Sequence, residues 1–228
     1  MAAGESMPSC AAKAGSSTYK LVYKLMGELG LKSKVRVKKK YNSYKGTVSH
    51  IAKNVLDRQF TPDKLNMVWV SDVTEFRIVG TKVYLSPIMD LFDRSIVSYS
   101  VSTSPNTALT SQSLRDAIAQ ESPGQGLLVH TDQGFQYQHS SWRSLITGIG
   151  GTQSMSRKGN CFDNAVMENF FGHLKTEMYH GETFTSLDEF YHALDEYIYW
   201  YNHERIQKRL KGLTPMHYRN QTLETQTA

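Results

Sequence analysis

Hydrophobic and polar positions alternate over short stretches in the middle of the chain, and this pattern predicts β-strands. Apolar runs at residues 67–73, 82–89 and 95–101 are rich in β-branched and aromatic side chains. Residues 90–93, Asp-Leu-Phe-Asp, supply a turn between the second and third runs. We therefore expect these three strands to form an antiparallel meander.

Helical segments separate two further strands in the part of the chain that follows. Residues 106–120 have the length and composition of a helix, which a Pro-Gly pair ends. The apolar run at 127–130 predicts a fourth, buried strand beside the first, while 140–146 and 152–155 predict a helix and a short strand. The predicted fold class is α/β, with a ribonuclease H-like, mixed five-stranded sheet flanked by helices.

The next segment has the periodicity of an amphipathic helix. From Asp163, a candidate helix cap, apolar residues recur at i, i+3, i+4, i+7 and i+11. These positions are Met167, Phe170, Phe171, Leu174 and Met178. At about 100° per residue, Glu168 and Lys175 share the adjoining stripe with Asn164, so Glu168 lies beside the buried face.

The two ends of the chain differ from this core in composition. Residues near the N-terminus are rich in Ala, Gly and Ser without periodicity, and a capping box at Ser186 and Glu189 begins a helix near the other end. The expected division is a disordered leader at 1–18, a helix plus basic arm at 19–57, a core at 58–182 and a C-terminal helical extension at 183–228.

Basic charge is concentrated in the arm. The chain has 228 residues and a formal net charge of +5, yet residues 29–56 contain eight Lys or Arg and no Asp or Glu. Lys38, Lys39 and Lys40 are consecutive. The arm is either a solvated linker or a surface that contacts phosphates, because clustered Lys and Arg release counterions from a polyanion. We favour phosphate contact.

Cysteine and hydropathy exclude several classes of protein. Two cysteines are too few for a zinc site or a disulfide framework, which is typical of a reducing cytoplasm. No stretch approaches the roughly 20 apolar residues of a membrane span, and no apolar signal core is present. We expect an intracellular, cytoplasmic protein without a membrane partner.

Three acidic residues in distinctive contexts give the candidate chemistry. Asp72 follows the run Val-Trp-Val-Ser, Asp132 follows the fourth predicted strand, and Glu168 lies on the amphipathic helix with 35 residues between it and Asp132. Three carboxylates from two strand ends and a later helix can hold two divalent ions at one phosphodiester. Such hard oxygen ligands suit Mg²⁺ or Mn²⁺.

Other acidic residues and one histidine near these motifs are assigned to structure. Glu75 lies three positions after Asp72, which reverses the side-chain face along a strand. Asp90 and Asp93 are expected to shape the turn between strands. His130 shares a strand face with Asp132 and either touches the site from behind or packs in the core, and we favour the core.

These motifs together resemble the integrase-core transposases of bacterial insertion sequences, in particular the second-frame product of the IS three family, and through them retroviral integrases. The resemblance covers about residues 19–220. It rests on the words Trp-Val-Ser-Asp-Val-Thr-Glu-Phe, Tyr-Leu-Ser-Pro-Ile-Met-Asp-Leu-Phe, His-Thr-Asp-Gln-Gly, Ser-Met-Ser-Arg-Lys-Gly-Asn-Cys-Phe-Asp-Asn-Ala-Val-Met-Glu-Asn-Phe-Phe and Tyr-Asn-His-Glu-Arg. The family's 35-residue spacing is kept, as is its basic residue seven positions after the glutamate, at Lys175.

The resemblance implies a metal-dependent transposase. Asp72 would bridge two divalent cations, and Asp132 and Glu168 would each complete one coordination shell. The site would cleave DNA to free a 3′-hydroxyl and then join that hydroxyl to a second phosphodiester. The implied partners are the element's terminal inverted repeats, target DNA, an upstream-frame product or fusion, and further copies of the chain, in a bacterial cytoplasm close to the nucleoid.

Candidate DNA contacts are basic or amide side chains near these motifs. The polar loop before the catalytic helix is either a DNA-contacting loop or a plain solvated one, and the other candidates lie on the helix, in the basic arm and near the C-terminus. The residues are Arg157, Lys158, Asn160, Asn164, Lys175, Lys38, Lys39, Lys40 and Arg205.

The N-terminal region is shorter than is usual in the family that the chain resembles. The helix at 19–29 matches only the end of that region, which indicates a truncated copy. An alternative function is therefore a catalytically silent DNA-binding remnant that competes with full-length transposase. A weaker alternative is a ribonuclease H-type nuclease that acts on RNA–DNA hybrids, because the same sheet could support that reaction.

Overall fold

The apolar runs of the middle segment form the antiparallel half of a mixed sheet. The structure is a computed structural model that describes residues 19–33 and 50–227. Its strands are β1 (Val68–Ser71), β2 (Thr74–Ile78), β3 (Thr81–Asp90), β4 (Ile96–Ser102), β5 (Leu128–Thr131) and β6 (Thr152–Met155). β3 pairs antiparallel with β1, β2 and β4, whereas β5 runs parallel to both β1 and β6. The predicted mixed α/β sheet is therefore confirmed.

Strands β1 and β2 are two halves of one interrupted strand. Both pair with the same edge of β3 in one continuous register, which places Asp72 and Val73 opposite Pro87 and Ser86. Pro87 has no backbone N–H to donate, so the ladder is weakened at this point. Six named strands therefore occupy five positions across the sheet. The sequence prediction ended the first strand at Val73 and missed β2.

The described residues form seven α-helices, several of which cover the two faces of this sheet. They are α1 (Tyr19–Glu28), α2 (Thr107–Glu121), α3 (Phe135–Gln138), α4 (Ser140–Gly148), α5 (Ala165–Leu174), α6 (Leu187–His203) and α7 (Pro215–Thr227). Short 3₁₀ segments at Cys161–Asn164 and Lys208–Leu210 precede α5 and α7, and a π-helical segment, Lys175–Tyr179, continues α5. The short helix α3 and the helix α7 were not predicted individually.

The alternation of side chains in β1 divides the core into two clusters. Val68 and Val70 face a cluster that includes Phe170 of α5 and residues of α6. Trp69 faces the opposite cluster, which includes Trp142 of α4. All four residues of β1 are buried, as expected for a strand that is covered on both faces. This burial fixes the position of the strand end at which Asp72 lies.

Helix α1 stands apart from this core. Its bounds match the predicted helix at 19–29 to within one residue, but none of its ten residues is buried. Leu21, Val22 and Leu25 are each about two-fifths exposed or more. The predicted disordered leader at 1–18 and most of the basic arm lie outside the described residues.

Buried ion pairs attach α7 to the turn between β3 and β4. Arg219 is 6% exposed and donates to the carboxylates of Asp93 and Glu121, and more weakly to Asp90. The predicted turn role of the two aspartates is confirmed, because Asp90 accepts from the Phe92 N–H at 2.9 Å and Asp93 from the Ser95 N–H at 2.8 Å. Since charge rather than an apolar stripe anchors α7, hydrophobic periodicity did not predict it.

No helix in residues 19–33 or 50–227 has both the length and the hydropathy needed to cross a membrane.

The turn between β2 and β3 contains a strained residue, and this strain gives the first prediction. Val79 has φ of 45° and is followed by Gly80 at 78°, so both central residues are left-handed as in a type I′ hairpin. A β-branched side chain is disfavoured there, and Val79 is 67% exposed, so little packing is lost on its removal. Val79→Asn should raise the free energy of unfolding by about 1 kcal/mol.

Urea denaturation of the purified chain measures this change. Val79→Ala is the matched control, because it shortens the side chain but keeps a Cβ without the local hydrogen bonds that let Asn adopt this conformation. The control should gain less than Val79→Asn. A loss of stability in Val79→Asn would show that the exposed valine contributes more than its strain costs.

Candidate active site

Asp72 and Asp132 lie side by side because of the sheet register. β1 and β5 are parallel neighbours, with Val68 opposite Leu128 and Val70 opposite His130. The same register places Asp72 level with Asp132, each one residue beyond the end of its strand. Neighbouring strands are about 4.8 Å apart, so two carboxylates meet at one edge of the sheet. The predicted meeting of the first two acidic residues is thus supported by strand pairing.

Local backbone groups orient both carboxylates. The Val73 N–H donates to Asp72 Oδ1 at 2.7 Å, and the Gly134 N–H donates to Asp132 Oδ1 at 2.8 Å. A Cβ at position 134 would stand 2.9 Å from Asp132 Oδ1 and 2.6 Å from Gln136 Nε2. A side chain at position 134 would therefore displace the end of the Gln136 side chain and the Asp132 carboxylate.

Glu168 reaches the same place from the first turn of α5. An acidic residue in this turn is favoured by the partial positive charge of the helix N-terminus. Its negative charge raises the pKa of Asp72, so the two carboxylates interact. The predicted cap was wrong by one residue, because Asn164 precedes α5 and Asp163 instead forms ion pairs.

Among the described residues, the charges around Asp72 favour its neutral form. Burial, then Asp132 and then Glu168 raise the pKa of Asp72 well above its usual value, while the Val73 N–H and Lys175 oppose this rise. Burial likewise raises the pKa of Asp132 against the Gly134 N–H. Two neighbouring carboxylates outweigh one lysine, so a bound cation would relieve repulsion among hard oxygen ligands.

The carboxylates are not yet gathered around one point. Among the described residues, no three His, Cys, Asp or Glu side chains are placed to hold an ion together. Asp72, Asp132 and Glu168 are each only partly exposed and are near enough to interact electrostatically. The donor set fits Mg²⁺ or Mn²⁺ in chemistry, and the side chains would have to turn toward the ion.

Lys175 lies two turns beyond Glu168, at the start of the π-helical segment. Its Nζ atom is 5.2 Å from the centroid of the Phe76 ring. Its charge also lowers the pKa of Asp72. The predicted alignment of Lys175 with the carboxylates is consistent with these contacts.

Tyr137 supports the site from the interior, and sequence reasoning missed it. Its hydroxyl is 3.2 Å from Ser71 Oγ, directly before Asp72, and its ring packs edge-on against Trp142. Burial, and then the charges of Asp72 and Asp132, raise its pKa. Tyr137 belongs to the short helix α3, which has no periodic signal in the sequence, so no local pattern pointed to it.

Asn164 is a polar side chain without a partner at the start of α5. It is 5% exposed, and neither its Nδ2 nor its Oδ1 atom has a hydrogen-bond partner among the described residues. It lies one helical turn before Glu168. This amide therefore retains an unused donor and an unused acceptor, and both atoms lie beneath the surface.

Arg157, in the loop before α5, forms ion pairs within the protein. Arg157 was predicted to contact DNA, but it donates from Nε and Nη2 to Asp163 at 2.9 and 3.0 Å and from Nη2 to Asp57 at 3.3 Å. Asn160 accepts from the Phe162 N–H at 3.2 Å and caps the 3₁₀ segment, while Lys158 is exposed. Lys158 is therefore the more accessible cation of the loop.

Arg205 is likewise committed to an internal ion pair. Its guanidinium donates to Glu177 at 2.7 and 3.1 Å, and Tyr197 donates to the same carboxylate at 2.8 Å. The Arg205 side chain is 19% exposed and lies against Trp200 and Tyr201. It links the end of α6 to the π-helical segment beyond α5, which is a structural use of a residue predicted to contact DNA.

The remaining predictions have simple outcomes. Lys38, Lys39 and Lys40 lie outside the described residues. Glu75 points away from the core and pairs with Lys82 at 3.1 Å, in accord with a structural role. His130 is fully buried in the core.

Comparison with known proteins identifies related sequences. Two family models, both described as "Integrase core domain", match residues 62–161 and 168–223. A transposase-like protein of Haemophilus influenzae is 46% identical over 205 residues, which covers 90% of this chain and 94% of the relative. The putative transposase InsK for insertion sequence element IS150 of Escherichia coli is 46% identical over 204 residues, covering 90% of this chain and 72% of the relative.

A solved structure gives the same fold. The chain resembles the HTLV-2 integrase catalytic core domain in complex with magnesium, in its trimeric form, with a TM-score of 0.54 at 18% identity. The match covers 68% of this chain and 96% of that domain. At this identity the likeness establishes the ribonuclease H-like fold alone.

The Arg205–Glu177 ion pair gives a pH-dependent prediction. Although burial opposes the change, hydrogen bonds from His173 and Arg205 lower the pKa of Glu177 from 4.5 to about 2. The ionised carboxylate therefore stabilises the fold fully above pH 4.5, and this contribution is lost as the pH falls toward 2. Glu177→Gln should cost roughly 1.5–3 kcal/mol at pH 7, and this cost should shrink as the pH falls from 4.5 toward 2.

Denaturant unfolding at pH 7, 5 and 3.5 measures the difference between the two chains. The control is Glu196→Gln on α6, whose side chain is 69% exposed and should cost less than about 0.5 kcal/mol at every pH. A Glu177→Gln cost that stays constant with pH would contradict the assigned ion pair.

Proposed function

Because the chain belongs to the insertion-sequence transposases with an integrase core domain, we propose that it catalyses metal-dependent 3′-end cleavage and strand transfer of its element. Membership in this family makes it a transposase, which acts in DNA transposition and integration. The finer steps, the metal requirement and the residues that perform them are parts of this proposal.

The level placement of Asp72 and Asp132 on adjacent parallel strands is the observation that supports the proposal most strongly. Glu168 approaches from α5, and its charge reaches Asp72. Asp132 and Glu168 raise the pKa of Asp72 while Lys175 lowers it, and carboxylates that lie this close together favour divalent cations. A sheet of this class can serve many reactions, so the function rests on these side chains and on the family.

Asp72, Asp132 and Glu168 are the residues that would hold two Mg²⁺ or Mn²⁺ ions, with Asp72 shared between them. Bound there, the ions would supply Lewis-acid activation of the attacking oxygen and stabilisation of the leaving oxygen. The magnesium complex of the HTLV-2 integrase core supports this choice of metal by analogy. None of the chain's own residues is required as a covalent nucleophile.

The residues around the triad have separate roles in this proposal. The Val73 and Gly134 N–H groups each donate to one oxygen of Asp72 and Asp132, and the carboxylates would turn from these positions toward an ion. Asn164 offers its unpaired amide to a phosphate or base at the DNA end. Lys175 provides a positive charge two helical turns beyond Glu168.

We assign DNA contact first to cations and amides on the loop before α5 and beside the carboxylates. Lys158 and Asn160 lie on the loop before α5, and Asn164 and Lys175 lie beside the carboxylates. Lys38, Lys39 and Lys40 remain proposed phosphate contacts on sequence grounds. Arg157 and Arg205 rank below these residues as candidate DNA contacts, because their guanidinium groups already bind carboxylates.

The proposed partners are DNA and protein. The DNA comprises the element's terminal inverted repeats and the target site, and cleavage of two ends calls for at least two copies of the chain. The HTLV-2 core with which the fold agrees is a trimeric form, which supports assembly by analogy. A fusion with an upstream-frame product is proposed as the source of end recognition.

The proposed reaction is tested by joining a precleaved element-end duplex to target DNA in Mg²⁺. Asp132→Asn should lower joining by at least about 100-fold, because it removes a ligand charge while keeping the shape of the side chain. DNA binding should be unchanged within about twofold. Asp116→Asn is the matched control, since it removes an exposed carboxylate on α2, and it should join DNA at the wild-type rate.

Three other outcomes would overturn parts of the proposal. Wild-type chain that binds end DNA but never joins it, even with the upstream-frame product added, would favour the silent, competing DNA-binding remnant. Joining by Asp132→Asn at the wild-type rate would remove Asp132 from the site. Cleavage of the RNA strand in an RNA–DNA hybrid, without DNA joining, would favour a ribonuclease H-type nuclease.

A further inference from the structure

Residues 53–58, which we call the brace, connect the basic arm to the core without forming a helix or strand. The brace precedes residue 62, where the first integrase-core match begins. Its polar groups bond to β6 and to the loop before α5, which adjoin the strand that leads to Asp132 and the helix that carries Glu168.

The first attachment joins the brace to β6 and β5. Ser154 Oγ accepts from the Val55 N–H at 2.9 Å and from the Leu56 N–H at 3.1 Å, and the Met155 N–H donates to the Lys53 carbonyl. With two donors already bound, the Ser154 hydroxyl hydrogen is left for His130 Nδ1, at 2.8 Å.

This hydrogen bond fixes the state of His130. Since Nδ1 accepts, the proton of the neutral ring is on Nε2, which donates to Ser156 Oγ at 3.1 Å. His130 is two residues before Asp132, so the brace is tied to the strand end that presents this carboxylate.

The second attachment joins the brace to the loop before α5 through Asp163. The Asp163 side chain has no exposed surface and accepts from Arg58 Nε at 2.8 Å and from Asn54 Nδ2 at 3.0 Å. The backbone N–H, Nε and Nη2 of Arg157 donate to the same carboxylate. These bonds, those from Arg157 above all, hold the pKa of Asp163 far below its usual range.

The brace contains a turn in which two residues other than glycine have left-handed backbone. Asp57 and Arg58 have φ of 39° and 63°, and the Gln59 N–H bonds to the Leu56 carbonyl at 2.9 Å. This is a type I′-like turn made without the usual Asn-Gly pair, and left-handed backbone is unfavourable for residues that carry a Cβ. The side chains of Asp57 and Arg58 both form ion pairs with the loop before α5, and these ion pairs offset the backbone strain.

We propose that Arg58 and Asp163 are positioning residues, and that through them the brace sets the distance between Asp132 and Glu168. Asp163 lies five residues before Glu168, and the same brace is bonded to Ser154 of β6, which contacts His130 two residues before Asp132. The inference rests on the proposed metal-dependent function of the triad. Loss of the brace contacts should therefore weaken binding of divalent ions and slow DNA joining, with little effect on DNA affinity.

Arg58→Gly in the full chain tests this role. Glycine adopts the left-handed conformation without strain, so the variant removes the ion pair and relieves the backbone together. The expected result is at least a tenfold weaker affinity for Mn²⁺, measured by titration calorimetry without DNA. In the joining assay, kcat should fall about tenfold while KM for DNA changes less than twofold.

Three further variants complete the experiment. Arg58→Lys keeps the charge and should recover part of the Mn²⁺ affinity, and Asn54→Ala, a milder change that removes one bond to Asp163, should show a smaller loss. Arg115→Gln on α2 removes an exposed arginine of the same charge and should behave as wild type. Asn54→Ala also decides the question if Arg58→Gly fails to fold.

The outcomes separate the brace from the proposed function. Higher stability of Arg58→Gly with unchanged Mn²⁺ affinity would overturn the positioning role, as would unchanged affinity in Asn54→Ala if Arg58→Gly does not fold. A raised KM with unchanged Mn²⁺ affinity would instead make Arg58 a DNA contact. If wild type itself neither binds Mn²⁺ nor joins DNA, the proposed function fails before the brace is tested.

Discussion

Asp72 and Asp132 occupy the same level of neighbouring parallel strands, and the repulsion between them in a partly buried site is the constraint on which the rest of the structure depends. The sheet could avoid this repulsion if either strand were shifted by one residue, but such a slip would turn each side chain of β1 into the other core cluster, where it would not fit. Burial of Val68, Trp69 and Val70 on both faces of β1 therefore enforces the contact. The folding energy of the core maintains an unfavourable pair of charges, as is common at sites that bind cations.

The arginines of the chain are used to hold elements around this pair. Arg219 anchors α7, Arg205 joins α6 to the segment after α5, and Arg58 with Arg157 secures the loop before α5. Each is bound to at least one carboxylate, so these guanidinium groups act mainly in the structure. Two lysines near the site differ from these arginines in their contacts. Lys175 lies against the Phe76 ring, and Lys158 is exposed on the loop before α5. Net basic charge alone would not have distinguished these two uses.

The sequence was most informative where a local pattern determines the structure. The apolar runs predicted most of the strands, and 3.6-residue spacing placed α5 and therefore Glu168 beside the core. Strand β2 was missed because the interruption at Asp72 ended the apolar run before Thr74. Tyr137 and the contacts of Asp163 were missed because they join residues distant in sequence. Asn54 and Asp163, for example, are 109 positions apart, and no short-range pattern records such a pair.

The central claim is that Asp72, Asp132 and Glu168 together bind divalent cations. Crystals of the chain soaked in Mn²⁺, with anomalous diffraction recorded at the manganese edge, test this most directly. We expect peaks within about 2.0–2.4 Å of oxygens from all three side chains, and no such peaks in Glu168→Gln crystals at the Glu168 position. Full Mn²⁺ exposure without a peak at these carboxylates, or with peaks only elsewhere on the surface, would contradict the claim.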